Sequence, residues 1–353
     1  VRGLGAVTNR GRHIPVSSQV AAMPRKTRGP WAVAFAKLAT DRAAMASLAV
    51  FLLIVLACFS APLYAKWAGT DPFASTLDAV IQIDGADVPV MEQSTEGLGL
   101  GYTPIGPTWR LGNYFLGADS QGRDVMARLL YGGLNSLLIS GAATIFTLIF
   151  GTLAGLIAGY FGGVTDTVLS RLLDVLWAFP IYLLAISLSI VTIAQGISIG
   201  PIEIQSGSLW LPIIIIGIVY VPYVARPIRG QVLALRHSEF VHAAINLGVP
   251  GWRILWRDIL PNITTTLIVF VPLMMALNML TESALSFLSI GVQPPAASWG
   301  TIIQDGQALL YTRPLVALVP GLAIAVSVMA LNVFGDGLRD ALDPRSKVRL
   351  GRD

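Results

Sequence analysis

Residues 136–160 read SLLISGAATIFTLIFGTLAGLIAGY, twenty-five positions without one charged side chain. As a helix rising 1.5 Å per residue, such a run is about 37 Å long, enough to cross the roughly 30 Å of hydrocarbon in a bilayer. Its apolar residues are continuous rather than alternating, which argues against a barrel strand. Only helices and closed barrels satisfy every backbone hydrogen bond in lipid, so the segment reads as a membrane-spanning helix. Gly151, Gly155 and Gly159 recur every four residues and share one face, where a second helix can approach closely. Structural packing is the favoured reading of that face over a role in gating.

Working outward, five more runs of the same kind appear, at about 44–65, 168–194, 209–225, 263–290 and 314–334. The whole chain agrees with them: 54% of its 353 residues are hydrophobic and 12% are charged. An ordinary soluble domain carries about a quarter charged residues. The expected fold class is therefore an all-α polytopic membrane protein with six transmembrane helices and no β domain. The basic start leads into the 44–65 run, which is too long for a signal peptide and lacks a small-residue cleavage pattern, so it reads as a retained span. The only cysteine, Cys58, lies in that run and excludes an intrachain disulfide.

The 24 Lys and Arg residues set the orientation. Eight fall in the tail 1–43, one in 161–171, five in 226–262 and five after 334, against four in 66–133 and one in 291–313. Nineteen on one side against five on the other places both termini and the 226–262 connection in the cytoplasm. The same distribution explains the net charge of +4 without nucleic acid as a partner. The external segment 66–135 is long and carries eight acidic residues between 66 and 133. Gly, Pro and Asp in its insert, 78–107, predict irregular structure, and 122–131 reads as a short helix approaching the second span.

The cytoplasmic connection holds SEFVHAAINLGVPGWRILWRDILPN at 238–262. Ser238 can cap a helix on which Phe240, Ala243, Ala244 and Leu247 form an apolar stripe. Gly248 can end it, and Pro250-Gly251 turns the chain into a second short helix, 252–260. The small Ala243 and Ala244 would let another protein approach the backbone, and Trp252, Arg253, Trp256 and Arg257 suit a membrane interface.

This connection resembles that of the permease subunits of ATP-binding-cassette importers, which carry Glu-Ala-Ala, a glycine four residues beyond the second alanine, and a later Leu-Pro. The matching residues are His242, Ala243, Ala244, Gly248, Leu260 and Pro261, with His242 standing where glutamate is usual. Further matches point to the oligopeptide/dipeptide branch: LGADSQGRDV at 116–125, Asp174 with Ala178-Phe179-Pro180, and ESALSFLSIG at 282–291 followed by Pro294-Pro295 and Ser298-Trp299-Gly300. The resemblance runs from about residue 113 to 345. It implies a type I importer permease fold and an ATPase-coupling surface made of Glu239, Phe240, His242, Ala243, Ala244, Leu247, Gly248, Trp252, Arg253, Leu260 and Pro261. It also implies the partners: a second homologous permease, two cytoplasmic ATP-binding subunits that hold ATP and Mg, and an external substrate-binding protein, all at a bacterial inner membrane. The cargo would be di- or oligopeptides.

Within the spans, Glu282 and Asn278 are the candidates for the translocation path, against packing or interhelical hydrogen bonding. Arg171 and Asp174, three apart, can pair on one helix face. His237, Glu239 and His242 lack the zincin spacing, so no metal site is expected. No phosphate-binding Gly-x-x-x-x-Gly-Lys-Ser/Thr loop occurs, so the chain is expected to bind no cofactor and to have no ATPase site of its own. The alternative, an ion-coupled secondary transporter, would show inverted repeats and several ionisable residues at the midplane, and neither is visible. An intramembrane enzyme would need a nucleophile and base within the spans, which contain no histidine.

Overall fold

A computed structural model describes residues 30–343 except 84, 94–100, 113, 200, 201 and 206. Most of the basic tail 1–43, part of the 78–107 insert and the end of the C-terminal tail 335–353 therefore lie outside the described residues. The chain opens with α1 (Pro30–Thr40), α2 (Arg42–Phe59) and α3 (Ala61–Ala68). One non-helical residue, Asp41, separates the first two, and its carboxylate accepts from the Ala43 and Ala44 amides that open α2. Two small hairpins follow, β1 (Val80–Ile83) with β2 (Ala86–Pro89) and β3 (Met91–Gln93) with β4 (Tyr102–Pro104), both antiparallel. A third, β5 (Ile197–Ile199) with β6 (Ile202–Ile204), lies further along. These hairpins correct the expectation of irregular structure without strands. Alternation such as Val-Ile-Gln-Ile over four residues is too short a signal to separate from its turn-rich surroundings.

The helical body consists of α4 (Val125–Phe161), α5 (Gly163–Ala178), α6 (Ile181–Gln195), α7 (Trp210–Arg236), α8 (Glu239–Asn246), α9 (Gly251–Ile254), α10 (Leu260–Phe287), α11 (Trp299–Gly306) and α12 (Leu315–Leu342). A π-helical turn, Leu255–Ile259, joins α9 to α10, so residues 251–287 form one continuous helix. Among the described residues five helices are long and apolar enough to cross a membrane, and the pair α5 and α6 makes a sixth if its two halves form one span. That pair departs from the straight span expected at 168–194, because it bends by 91° at Phe179-Pro180. Proline cannot donate to the helix, and it drives the preceding residue out of the helical region; Phe179 has φ −90 and ψ 139. The spans also run past their sequence limits. The short helix expected at 122–131 is the first turn of α4, started by Asp124, whose carboxylate accepts from the Met126 and Ala127 amides. Likewise α7 continues to Arg236, into the stretch read as connection.

The core is helix on helix, and α4 is its central member. Its glycine face meets α7 closely: a Cβ at Gly151 would stand 2.7 Å from the Val224 Cβ, one at Gly155 2.7 Å from the Ala225 carbonyl oxygen, and one at Gly159 2.8 Å from the Val232 Cβ. The glycines therefore serve packing. At one end of the bundle Leu156, Val224, Ile228, Val232, Ile254 and Ile263 form a buried cluster. At the other, Cys58, Leu137, Met279, Trp299, Ile302 and Val316 join α2, α4, α10, α11 and α12.

Candidate coupling surface and interhelical clamp

The helix α8 begins where α7 ends. Ser238 sits at its N-cap in extended conformation, but its hydroxyl makes no capping bond and instead donates to the Leu235 carbonyl at 2.5 Å. This corrects the expected cap: the hydroxyl ties α8 back to α7, while Glu239 in the first turn complements the positive end of the helix. The C-terminus matches its sequence signal. Gly248 adopts φ 74, its amide donates to the Ile245 carbonyl at 2.9 Å, and the Val249 amide donates to the Ala244 carbonyl at 3.1 Å. That paired pattern is a Schellman motif, with Ala244 and Val249 both packed on the same buried cluster.

What anchors α8 is Val241, fully buried among residues of α7 and α10. Sequence reasoning passed over it, because the stripe read from Phe240, Ala243, Ala244 and Leu247 leaves Val241 out. The remaining side chains face away. Phe240, His242, Ala243, Ile245 and Leu247 are exposed, Leu247 at 83%, and Ala244 is half-buried. Of the expected stripe, then, Phe240, Ala243 and Leu247 form an outward apolar face, and Ala244 bridges to the interior. Trp252 and Arg253 on α9 are exposed as well, with the guanidinium 5.5 Å from the indole centroid. Leu260 and Pro261 lie elsewhere: Leu260 packs on the buried cluster, and Pro261 follows directly on the π-helical turn Leu255–Ile259, a local departure from α-helical bonding at the point where proline can supply no N–H. The expected second short helix is therefore the opening of a membrane-crossing helix. Gly251 fixes the join, since a Cβ there would stand 2.9 Å from Cε1 of Tyr160 on α4. His237 ends α7 and His242 lies on α8, their rings 6.4 Å apart.

The opposite end of the bundle holds the other sequence matches, and there the chemistry is internal. Asp119 is fully buried and accepts from the backbone amides of Gln121 and Arg123 and from Arg123 Nε at 2.8 Å. Arg128 Nη2 and Arg123 Nη2 reach Asp305 of α11 at 2.7 and 2.9 Å, and Arg128 Nε lies 3.2 Å from Asp119. Burial pushes the Asp305 carboxyl upward, and the two guanidiniums pull it back. Beneath this network Glu282 of α10 accepts from Ser286 Oγ at 2.7 Å and from Ser283 Oγ at 3.4 Å. Ser298 and Thr301 close a capping box on α11, the Trp299 amide donates to Ser136 Oγ at 3.1 Å, and the Trp299 indole donates to the Leu129 carbonyl at 3.0 Å. Gly300 sits so close to α10 that a Cβ would overlap the Ser283 carbonyl oxygen.

Glu282 and Asn278 are thus both wholly buried. Asn278 Nδ2 donates to Thr144 Oγ1 of α4 at 3.0 Å. In this single chain both side chains lie inside the bundle, and Asn278 bridges α10 to α4. The pairing of Arg171 with Asp174 is replaced, because Asp174 reaches across to Arg226 of α7 at 2.7 Å.

The described residues thus form a multi-span helical bundle with an exposed apolar helix, α8, on one connection. Residues 151–348 match the family described as binding-protein-dependent transport system inner membrane component, and residues 29–78 match the N-terminal TM domain of oligopeptide transport permease C. The chain is 31% identical over 332 residues to the oligopeptide transport system permease protein OppC of Haemophilus influenzae, covering 94% of each. It is 38% identical over 250 residues to the dipeptide transport system permease protein DppC of Alkalihalophilus pseudofirmus, covering 70% of this chain and 78% of that one. A glutathione transport system permease protein, GsiD of Escherichia coli, is 32% identical over 337 residues, 95% of this chain and 97% of that one. In fold the chain is similar to a solved inward-facing MetNI methionine ABC transporter, with a TM-score of 0.50 at 16% identity over 62% of this chain and 97% of that one. The chain belongs to the family of binding-protein-dependent inner-membrane components, the permease subunits of ABC importers.

Proposed function

We propose that this chain forms half of the translocation pathway of an ATP-driven importer of di- or oligopeptides, coupled through α8 to a cytoplasmic ATPase. The cargo class rests on the peptide permeases among its relatives, and the orientation on the 19-to-5 distribution of basic residues. A second similar permease would supply the other half of the pathway, an external binding protein would deliver the solute, and two ATP-binding subunits would hold ATP and Mg. The chain itself would bind no nucleotide and carry out no covalent chemistry on its cargo.

The observation that carries the reading is the outward apolar face of α8. Phe240, Ala243 and Leu247 are exposed on a helix that is locked to the bundle by Val241, by the Gly248 turn and by the Gly251–Tyr160 contact. A surface that is apolar, rigidly held and outside the spans suits insertion into a groove of a partner protein. Any displacement of α8 would pass through the continuous helix 251–287 into the bundle. Because the clamp at the far end joins α4, α10 and α11, those helices would move as a body between two packings rather than bend one at a time.

The test is purification of the tagged chain from its native membrane in mild detergent, with identification of its partners and an ATPase assay. Recovery of a second permease and a phosphate-loop ATPase, with hydrolysis stimulated by a peptide-loaded binding protein, is the expected outcome. Recovery of the chain alone, with solute uptake driven by an ion gradient, would overturn the reading.

A further inference from the structure

The helix α1 lies at an edge of the membrane that two other helices mark. In α12 residues 315–335 carry no charge, about 31 Å of helix, and Asp336, Arg339 and Asp340 follow. In α2 residues 43–59 carry no charge, and Asp41 and Arg42 precede them. These two charged borders meet: a Cβ at Gly337 would overlap the Ala44 Cβ. Packed at that meeting point is α1, with Leu38 buried beside Ala44 and Leu338, and with the Lys37 ammonium donating to the Asp340 carbonyl.

At eleven residues, about 16 Å, α1 is too short to cross the bilayer. Trp31, Phe35 and Leu38 share one helix face by their spacing of four and three. Leu38 is buried, but Trp31 is 41% and Phe35 62% exposed, and all three line an apolar crevice against Ile268 and Leu338. An apolar face bearing a tryptophan, held at the charged border of a bundle, suits the boundary between headgroups and acyl chains.

The charge around this face is one-sided. Residues 1–43 and 335–353 together hold thirteen basic and five acidic side chains, and no acidic residue occurs before Asp41. Asp41 itself is committed to the Ala43 and Ala44 amides. Arg25, Lys26 and Arg28 precede Pro30 by two to five residues, so chain length alone keeps them within about 18 Å of the start of α1. Basic sequence beside an interfacial helix favours anionic over zwitterionic phospholipid, because the headgroup phosphates answer the charge while the acyl region takes the apolar face.

We infer that α1 lies in the headgroup region of the leaflet at which both termini lie, and that Arg25, Lys26 and Arg28 hold anionic phospholipid beside it. Neither the cargo nor the docking of α8 enters into this assignment.

The experiment uses the full chain in nanodiscs of phosphatidylcholine, alone or mixed with phosphatidylglycerol. With Cys58→Ala as background, a nitroxide on Phe35→Cys reports its access to oxygen, which concentrates in lipid, and to a nickel chelate, which stays in water. Leu53→Cys on α2 and Leu247→Cys on α8, whose leucines are 65% and 83% exposed, are the lipid and water references. In mixed lipid the Phe35 label should resemble the lipid reference. Combining Arg25→Gln, Lys26→Gln and Arg28→Gln should shift it toward the water reference there, and leave it unchanged in phosphatidylcholine alone. Nickel access equal to that at Leu247 would overturn the inference, as would exclusion of both reagents, which would mean that protein covers the face. A second measurement needs no cysteine. Selectivity for phosphatidylglycerol among the lipids that the chain retains in mild detergent should fall about fivefold in the triple variant, the factor that one basic side chain near an anionic surface is worth. Equal selectivity in variant and original chain would contradict the anionic-lipid site.

Discussion

The two ends of the bundle handle chemistry in opposite ways. At the end bearing Asp119, Arg123, Arg128, Glu282 and Asp305, charged and hydroxylic groups are buried and answer one another across three helices. At the end bearing α8, apolar groups are exposed and covered by nothing among the described residues. The first arrangement makes a rigid joint, because a buried charge that loses its partner is costly to leave in place. The second leaves an apolar surface of the kind that suits the docking proposed above. The two ends therefore differ in what they hold: paired charges inside the bundle at one, an outward apolar face at the other.

The difference can be broken one residue at a time. Arg128→Ala should have the largest effect on stability, about 3–5 kcal/mol, because it leaves the buried Asp119 and the half-buried Asp305 each with one of its two cationic partners. Thermal unfolding in nanodiscs reads this, and an unchanged midpoint would show that the clamp holds nothing. Gly300→Ala should cost about 1–3 kcal/mol, since α11 must retreat from the Ser283 carbonyl to admit a methyl group. Gly248→Ala should cost about 1–2 kcal/mol through its left-handed backbone, and the loss should appear as faster hydrogen exchange confined to α8. Spread of that faster exchange into α4 and α11 would contradict the separation of the two ends.

Much of this was legible in the sequence, for physical reasons that differ from element to element. The span at 136–160 declared itself because lipid demands an unbroken apolar run. The end of α8 was legible because only a residue at ease with positive φ closes a Schellman turn, and Gly248 stood where it was needed. The bend at Phe179-Pro180 was missed although Pro180 was in view: composition across 168–194 reports apolarity and not direction. The clamp was missed because its partners lie far apart in the chain, Arg128 and Asp305 being 177 residues distant, and no local pattern joins them. Glu282 attracted attention as an ionisable group in an apolar run. The hydroxyls that bond it, on Ser283 and Ser286, stand one and four residues further along the same helix, so its satisfaction was readable from the local sequence.

The most direct test of the coupling surface is Leu247→Asp, at a side chain that is 83% exposed and touches no core. Stability should change by no more than about 0.5 kcal/mol, as for an ordinary surface position. Affinity for the ATPase should fall by about 2 kcal/mol, roughly thirtyfold, if Leu247 is a central anchor of the docked face. Co-purification of the ATP-binding subunits with the variant and the original chain, read beside their unfolding midpoints, measures both at once. Loss of the ATPase at an unchanged midpoint is the expected result; full retention of the ATPase, with peptide uptake intact, would contradict the role given to α8.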